Sequence, residues 1–289
     1  MPSKKEKLAL STLTLPGLKV AEKIARELHI DINVPKRLSE KTKLKTVVFD
    51  SLYSFMEQNF HKFTGHIVIA ATGLVVREIA PFLKDKKTDP AVVSLGQDGR
   101  YVISLLSGHL GGGNELAKRV ASITQGTPII NTATDIAKVP AMEMLARDLG
   151  LHITDFQKLP AVSRELSEGS KVPLYDPEGF LTDALKPWKE LFPELAEDIA
   201  FSKKAPEVPS IYVDYQLRDF PDNAMVMVPQ ALSLGLGCHR GIEFQAVKDF
   251  VSQIFAQNKL SLLAVAKVAT VELRKNEPAL IQLAKELER

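Results

Sequence analysis

Residues 107–114 place one histidine among four glycines, in the order Ser107-Gly108-His109-Leu110-Gly111-Gly112-Gly113-Asn114. Glycine lets the backbone approach a ligand closely, and the start of a helix offers free amide N–H groups that attract an anion. A histidine can take or give a proton near neutral pH. The run therefore predicts an anion-binding turn with a catalytic His109, followed by a helix that Asn114 caps. A tight turn with a helix cap and no ligand is the alternative.

A second turn, Thr72-Gly73, is predicted to lie at an equivalent place, between a buried strand and a helix. Arg77 follows one turn into that helix, and a guanidinium suits a carboxylate because it can bind both oxygens. Three lysines come next, of which Lys84 is a candidate ligand and Lys87 is interpreted as part of a solvated loop, with Lys86 between them. Arg77 could equally pair with neighbouring side chains, so both interpretations stay open.

A third glycine-rich turn lies near the end of the sequence and reads Gly235-Leu236-Gly237-Cys238-His239-Arg240-Gly241. It is one residue too long for the dinucleotide-binding pattern G-x-G-x-x-G, and no strand with a matching acidic residue clearly follows. Arg240 is available for an anion. Cys238, beside His239 and a helix start, is conceivable as a nucleophile. We favour the simpler interpretation of Cys238 as a small buried residue at a turn.

The composition excludes several classes of function. The 289 residues include 37 Lys and Arg against 35 Asp and Glu, a balance that gives no general attraction to nucleic acid or a membrane. One cysteine cannot form an internal disulfide and fits a reducing compartment. No apolar run approaches the roughly 20 residues of a membrane span, and no signal-like segment is apparent. These features predict a soluble cytoplasmic protein, and the histidine spacing predicts no metal site.

The elements that position these turns alternate between strands and helices. Apolar runs at 67–71, 91–95 and 101–106 predict buried strands, and Gln97-Asp98-Gly99 predicts a hairpin between the last two. The pattern predicts an α/β fold of mainly parallel sheets flanked by helices, in two to three small α/β domains. We expect an N-terminal α/β domain over residues 1–145, a middle region over 146–230 and a C-terminal α/β domain over 231–289.

These motifs together resemble the CbiG family. The resemblance is strong over about residues 65–135, and it rests on the stretches 72–81, 83–86, 89–93, 103–117 and 131–135. The turn at 235–241 resembles the opening of the family's C-terminal domain. That domain usually runs past what residues 231–289 provide, so we expect a truncated or shortened member.

The resemblance implies a hydrolase of anaerobic cobalamin (vitamin B12) biosynthesis. Its substrate would be cobalt-precorrin-5A, a corrinoid macrocycle that carries many carboxylates and a lactone. Water would open the lactone and a two-carbon fragment would leave as acetaldehyde, which gives cobalt-precorrin-5B. No cofactor is implied, because the substrate carries the cobalt. The expected ligand is this small molecule, the candidate protein partners are neighbouring enzymes of the pathway, and nucleic acid and membranes are excluded.

The roles within the site are our own assignment. The catalytic candidates are His109, Asn114 and Glu115, with His109 as general base and the amides of 111–114 stabilising an oxyanion. The substrate-binding candidates are Thr72, Gly73, Arg77, Lys84, Ser107, Gly108, Gly111, Gly112, Gly113, Thr134, Asp135, Gly237, Cys238 and Arg240. A non-enzymatic carrier of a corrinoid intermediate is the alternative function, because the same turns would serve it. A nucleotide-binding α/β enzyme is disfavoured by the glycine spacing.

Overall fold

The computed structural model describes residues 6–85 and 88–287, so Lys86 and Lys87 lie outside the described residues. The chain divides into two units, of which one ends at Thr132 and the other begins at Ala133. The predicted fold class is confirmed, since the sheets are mainly parallel and flanked by helices.

The described part of the first unit contains a seven-stranded sheet in the order β3-β2-β1-β4-β5-β6-β7. Its strands are β1 (Leu8–Thr12), β2 (Ile32–Pro35), β3 (Thr46–Phe49), β4 (Gly65–Ile69), β5 (Ala91–Leu95), β6 (Tyr101–Leu106) and β7 (Thr127–Ile129). Its helices are α1 (Leu15–Leu28), α2 (Lys36–Ser39), α3 (Leu52–Asn59), α4 (Thr72–Ile79) and α5 (Gly113–Thr124).

The strands of this sheet do not all run in one direction. The pairs that join β3, β2, β1, β4 and β5 are parallel. The predicted hairpin is confirmed, because β5 and β6 pair antiparallel with Leu95 opposite Val102 and Val92 opposite Leu106. β7 is parallel to β6. The carboxyl ends of β6 and β7 therefore lie at the edge where the other five strands begin.

Two apolar layers cover the two faces of the sheet. Successive side chains of a strand point to opposite faces, so Leu10 packs with α1 and α5 whereas Ala9 packs with α3 and α4. Each fully buried aliphatic side chain contributes about 1.5–3 kcal/mol to stability. Because the helices pack on the sheet in this way, the first turns of α4 and α5 are held close to the ends of the strands that precede them, β4 and β6.

One ionisable group lies in the second of these layers. The ring of His66, on β4, stacks on Phe60 with the centroids 5.5 Å apart, and its Nε2 lies 2.9 Å from the Phe60 carbonyl oxygen. The side chain is fully buried, and Nδ1 has no hydrogen-bond partner among the described residues. Burial lowers the pKa of His66 to about 4. His66 is therefore neutral in the folded protein at pH 7.

The described part of the second unit contains two smaller sheets, in the orders β8-β11-β10-β9 and β12-β13. The strands are β8 (Leu151–Ile153), β9 (Leu174–Tyr175), β10 (Ser210–Val213), β11 (Ala224–Pro229), β12 (Leu232–Leu236) and β13 (Val265–Thr270). The helices are α6 (Ala133–Ala137), α7 (Met142–Asp148), α8 (Leu159–Ser167), α9 (Thr182–Leu185), α10 (Glu197–Ala200), α11 (Phe244–Gln257) and α12 (Pro278–Glu286). Only β8 is antiparallel to its neighbour among these pairs.

Candidate active site at the glycine-rich turn

The glycine-rich turn connects the end of β6 to the start of α5 and is held by its own backbone. The amides of Gly112, Gly113 and Asn114 donate to the carbonyl oxygens of His109, Ser107 and Gly108, at 2.8, 3.0 and 2.9 Å. These three amides already have acceptors, so of the four amides predicted to bind the oxyanion only that of Gly111 is left as a donor. The amides of Leu110 and Gly111 have no acceptor within the described part of the chain.

Asn114 does not cap the helix, and that prediction is wrong. The residue before α5 is Gly112, whose backbone is left-handed at φ 81° and which supplies no side-chain cap. Asn114 is already inside the helix, where its buried side chain accepts a hydrogen bond of 2.7 Å from the Ser104 hydroxyl. The Asn114 carboxamide is therefore a positioning group, which ties the start of α5 to β6 beneath the turn.

The turn is also tied to the loop that precedes β5. The Ser107 hydroxyl donates to the carbonyl oxygen of Asp89 at 2.9 Å, and the buried Asp89 carboxylate accepts the Lys84 amide at 3.0 and 3.1 Å. Ser107 has a left-handed backbone (φ 53°), which is unfavourable for a residue other than glycine. Such strained residues cluster at functional sites. Asp89 and Ser104, which hold the turn in place, were not among the predicted site residues.

The structure brings Lys84 to the same edge of the sheet as His109 and leaves Glu115 on the surface. Lys84 lies beside the turn through its bond to Asp89, and its side chain is exposed. His109 is half-buried within the turn and has a polar or ring contact. The exposed carboxylate of Glu115 pairs with Lys118 at 2.7 Å, an ion pair of a helix surface. Such pairs contribute little, so Glu115 remains available to solvent and ligands.

Gly111 is required by the closeness of the turn. A Cβ atom at this position would lie 2.4 Å from the Ser107 Cβ and 2.8 Å from the Ser107 carbonyl oxygen. We expect Gly111→Ala to lower the free energy of unfolding by about 1–3 kcal/mol, measured by chemical denaturation. Gly237→Ala is the matched control, because a Cβ there would meet no atom within 4 Å. Equal effects of the two substitutions would contradict this account.

Thr72 and Gly73 lie between a buried strand, β4, and a helix, α4, as predicted, but at the opposite edge of the sheet from the glycine-rich turn. They follow the carboxyl end of β4, where Ile69 pairs with Leu95 and thus lies near the start of β6. The Thr72 hydroxyl lies 3.2 Å from that of Ser94, and the Arg77 side chain bends back to the Gly73 carbonyl oxygen. β4 has five residues, so about 16 Å separates the two edges.

The remaining predicted residues belong to the second unit. Thr134 is buried in α6 and Asp135 beside it is exposed. Gly237, Cys238 and Arg240 follow β12, and Arg240 is exposed.

Two residues that were not predicted hold this last turn, which spans residues 237–241. Arg274 donates to the Cys238 carbonyl oxygen at 2.8 Å, and the buried Glu277 carboxylate accepts the Gly241 amide at 3.0 Å. Nothing in the spacing of Arg274 or Glu277 indicates these contacts, because they lie more than thirty residues away, on the connection after β13.

Cys238 packs against the apolar cluster between α11 and α12, as a partly buried side chain. This contact is typical of a small hydrophobic residue. We expect Cys238→Ser to keep most of the hydrolase activity that the resemblance implies, measured as the rate at which cobalt-precorrin-5A disappears. Complete loss of this activity in a folded variant, together with an acyl group trapped on Cys238 of the native protein, would contradict a packing role for Cys238.

Across residues 6–85 and 88–287, no group of three or more His, Cys, Asp or Glu side chains could hold a metal ion. Over the same residues, no helix is both long and apolar enough to span a bilayer.

Three domain families match consecutive parts of the chain. They are Cobalamin synthesis G N-terminal over residues 54–135, Cobalamin biosynthesis central region over 140–229 and Cobalamin synthesis G C-terminus over 232–289.

The chain is also similar over most of its length to proteins named cobalt-precorrin-5A hydrolase. It is 32% identical over 293 residues to cobalt-precorrin-5A hydrolase of Salmonella typhimurium, covering 97% of this chain and 80% of that protein. It is 30% identical over 235 residues to cobalt-precorrin-5A hydrolase of Priestia megaterium, covering 78% and 62%. A crystal structure of a cobalamin biosynthesis protein G homolog from Sulfolobus solfataricus aligns with 97% of the chain and 77% of its own, at 17% identity and a TM-score of 0.40.

Proposed function

The chain belongs to the CbiG family, and we propose on that basis that it hydrolyses cobalt-precorrin-5A in cobalamin synthesis. The observation that carries the proposal is the 32% identity to the Salmonella hydrolase across 97% of the chain. The reaction adds water to the substrate lactone, and a two-carbon fragment leaves as acetaldehyde to give cobalt-precorrin-5B. The cobalt ion enters as part of the substrate.

We assign the chemistry to the glycine-rich turn. A base must take a proton from the attacking water, and the His109 imidazole is the titratable group within the turn. The carbonyl oxygen of the lactone becomes negative as water adds, so it needs donors that have no other acceptor. The amides of Leu110 and Gly111 meet that condition, and the start of α5 adds the positive end of a helix dipole.

The rest of the turn has a supporting role in this proposal. The Asn114 carboxamide accepts from the Ser104 hydroxyl and the Asp89 carbonyl oxygen accepts from the Ser107 hydroxyl, which anchors the turn on both sides of His109. The Lys84 ammonium, exposed at the same edge, is suited to a peripheral carboxylate of the substrate. Within the second unit by itself, Gly237 and Arg240 stay candidates for binding a carboxylate. We place the reaction in the cytoplasm, with neighbouring enzymes of the pathway as partners.

Turnover distinguishes the hydrolase from a carrier. The protein is incubated without oxygen with a tenfold excess of cobalt-precorrin-5A, and acetaldehyde is measured with a coupled dehydrogenase. We expect more acetaldehyde than protein, because an enzyme acts repeatedly. A carrier would bind one equivalent of substrate, seen in its absorption spectrum, and release no acetaldehyde.

A further inference from the structure

The edge of the first sheet opposite the glycine-rich turn contains a crevice that the proposed reaction does not use. β1 and β4 are neighbours and run parallel, but α1 follows β1 on one face whereas α4 follows β4 on the other. Two such strands leave a crevice beyond their carboxyl ends, which is where open α/β sheets commonly bind ligands. The crevice lies between the loop after β1 and the start of α4.

The floor of this crevice is polar and includes a hydroxyl without a partner. Ser11, on β1, is 1% exposed, and its Oγ has no hydrogen-bond partner in the described part of the protein. Strand pairing places Ser11 between Asn33 of β2 and Val68 of β4, and Ser94 of β5 lies beside Val68, so the four residues form one row across the sheet. Side chains of one row point to the same face, here the face of α3 and α4. A buried hydroxyl that lacks a partner is unfavourable, so Ser11 calls for an acceptor from outside the chain.

The start of α4 closes the crevice with further donors. Ala71 precedes the helix and provides no side-chain cap, so the amides of Thr72 and Gly73 have no acceptor within the helix. The Thr72 hydroxyl lies 3.2 Å from the Ser94 hydroxyl and joins the helix start to the polar row. Amides and hydroxyls that converge in this way favour a negatively charged group.

Two guanidinium groups lie at the rim. Arg77 donates to the Gly73 carbonyl oxygen at 3.5 Å, which holds its charge over the first turn of α4. Arg37 donates to the Leu13 carbonyl oxygen in the loop after β1. Both side chains are exposed, so a ligand in the crevice can reach them. The nearby Asp98 carboxylate, after β5, accepts the Arg100 amide at 3.1 Å.

We propose that this crevice binds the carboxylate or phosphate group of a small molecule, at a site separate from the glycine-rich turn. Ser11, Thr72, Gly73 and Arg77 supply the donors. About 16 Å of sheet separates the site from His109, so an anion held here is distant from the reacting lactone. The site does not depend on the proposed hydrolysis, and anion binding is measured without turnover.

The test is a titration of the full chain, labelled with ¹⁵N, with sodium phosphate and with sodium acetate at constant ionic strength. We expect the Thr72 and Gly73 amide resonances to shift and to saturate with at least one of the two anions. The tighter of the two identifies the ligand group as phosphate or carboxylate. Shifts that are absent, or that grow linearly with both anions, would overturn the proposal.

Variants place the anion in the crevice. Thr72→Val and Arg77→Ala should each weaken binding about tenfold or more, because each removes a hydrogen bond to a charged group. Arg119→Ala, which removes an exposed arginine of α5, should leave the affinity unchanged. Equal losses in Arg77→Ala and Arg119→Ala would show non-specific attraction and would overturn the site.

Ser11→Ala tests the crevice floor by an effect that a purely structural serine would not give. Removal of an unpartnered hydroxyl should raise the melting temperature of the free protein and reduce the further rise that the anion causes. A variant that melts lower than the native chain, or that binds the anion with full affinity, would remove Ser11 from the site.

Discussion

His109→Ala should lower the turnover of cobalt-precorrin-5A by about 10²–10⁴-fold with only a modest change in substrate affinity, because a general base acts in the transition state. The turn is held by backbone bonds, by the Asn114 carboxamide and by the Asp89 carbonyl oxygen, and the substitution removes none of these contacts. Rates are measured under single-turnover conditions without oxygen, and the free energy of unfolding is measured alongside.

Two further variants make this result specific. His109→Gln keeps a hydrogen-bond donor but cannot take a proton at neutral pH, so it should be as slow as His109→Ala. His29→Asn is the matched control. His29 is exposed and its backbone is left-handed, a conformation that asparagine tolerates. Activity restored by glutamine would refute the base role and leave His109 as a binding residue.

The pH dependence of stability should be dominated by His66 between pH 6.5 and 4. In the unfolded chain this histidine binds a proton below its usual pKa of 6.5, whereas burial lowers the folded pKa to about 4. The unfolded state therefore holds more protons across this range, and stability falls as the pH falls. About 2.5 pH units at about 1.4 kcal/mol each give a loss of about 3.5 kcal/mol, complete near pH 4.

Denaturation across this range by urea, with and without a His66→Gln substitution, measures the effect. Glutamine can still donate to the Phe60 carbonyl oxygen but does not titrate, so the stability of the variant should fall by about 3.5 kcal/mol less over this range. His239→Gln, at an exposed histidine, should retain the native dependence. Parallel curves for the native chain and His66→Gln would contradict the account.

The sequence predicts the separate elements of the first unit well because each is specified locally. Apolar runs specify β4, β5 and β6, and the spacing of Leu116, Val120 and Ile123 specifies α5. The sequence also predicts the hairpin at 97–99, and this hairpin decides at which edge the glycine-rich turn lies. A hairpin reverses the chain, so the turn after β6 cannot share an edge with Thr72 and Gly73, which follow a strand of the opposite direction.

The supports of the candidate site could not be predicted from spacing. Asp89 and Ser104 act on residues ten to eighteen positions away, and Arg274 and Glu277 act across a separate strand connection. Such contacts depend on how the strands are paired, which no local pattern specifies. Asn114 illustrates the same limit: asparagine is a frequent helix cap, but in this turn glycine occupies the left-handed position and moves Asn114 into the helix.

A single turnover in H₂¹⁸O measures directly whether this chain adds water to the lactone of cobalt-precorrin-5A. Equal amounts of protein and substrate are mixed without oxygen, and the products are analysed by mass spectrometry. We expect one equivalent of acetaldehyde and one ¹⁸O atom in the newly formed carboxylate of the corrinoid product. Recovery of unchanged cobalt-precorrin-5A bound to the folded protein, with no acetaldehyde and no ¹⁸O in the macrocycle, would contradict it.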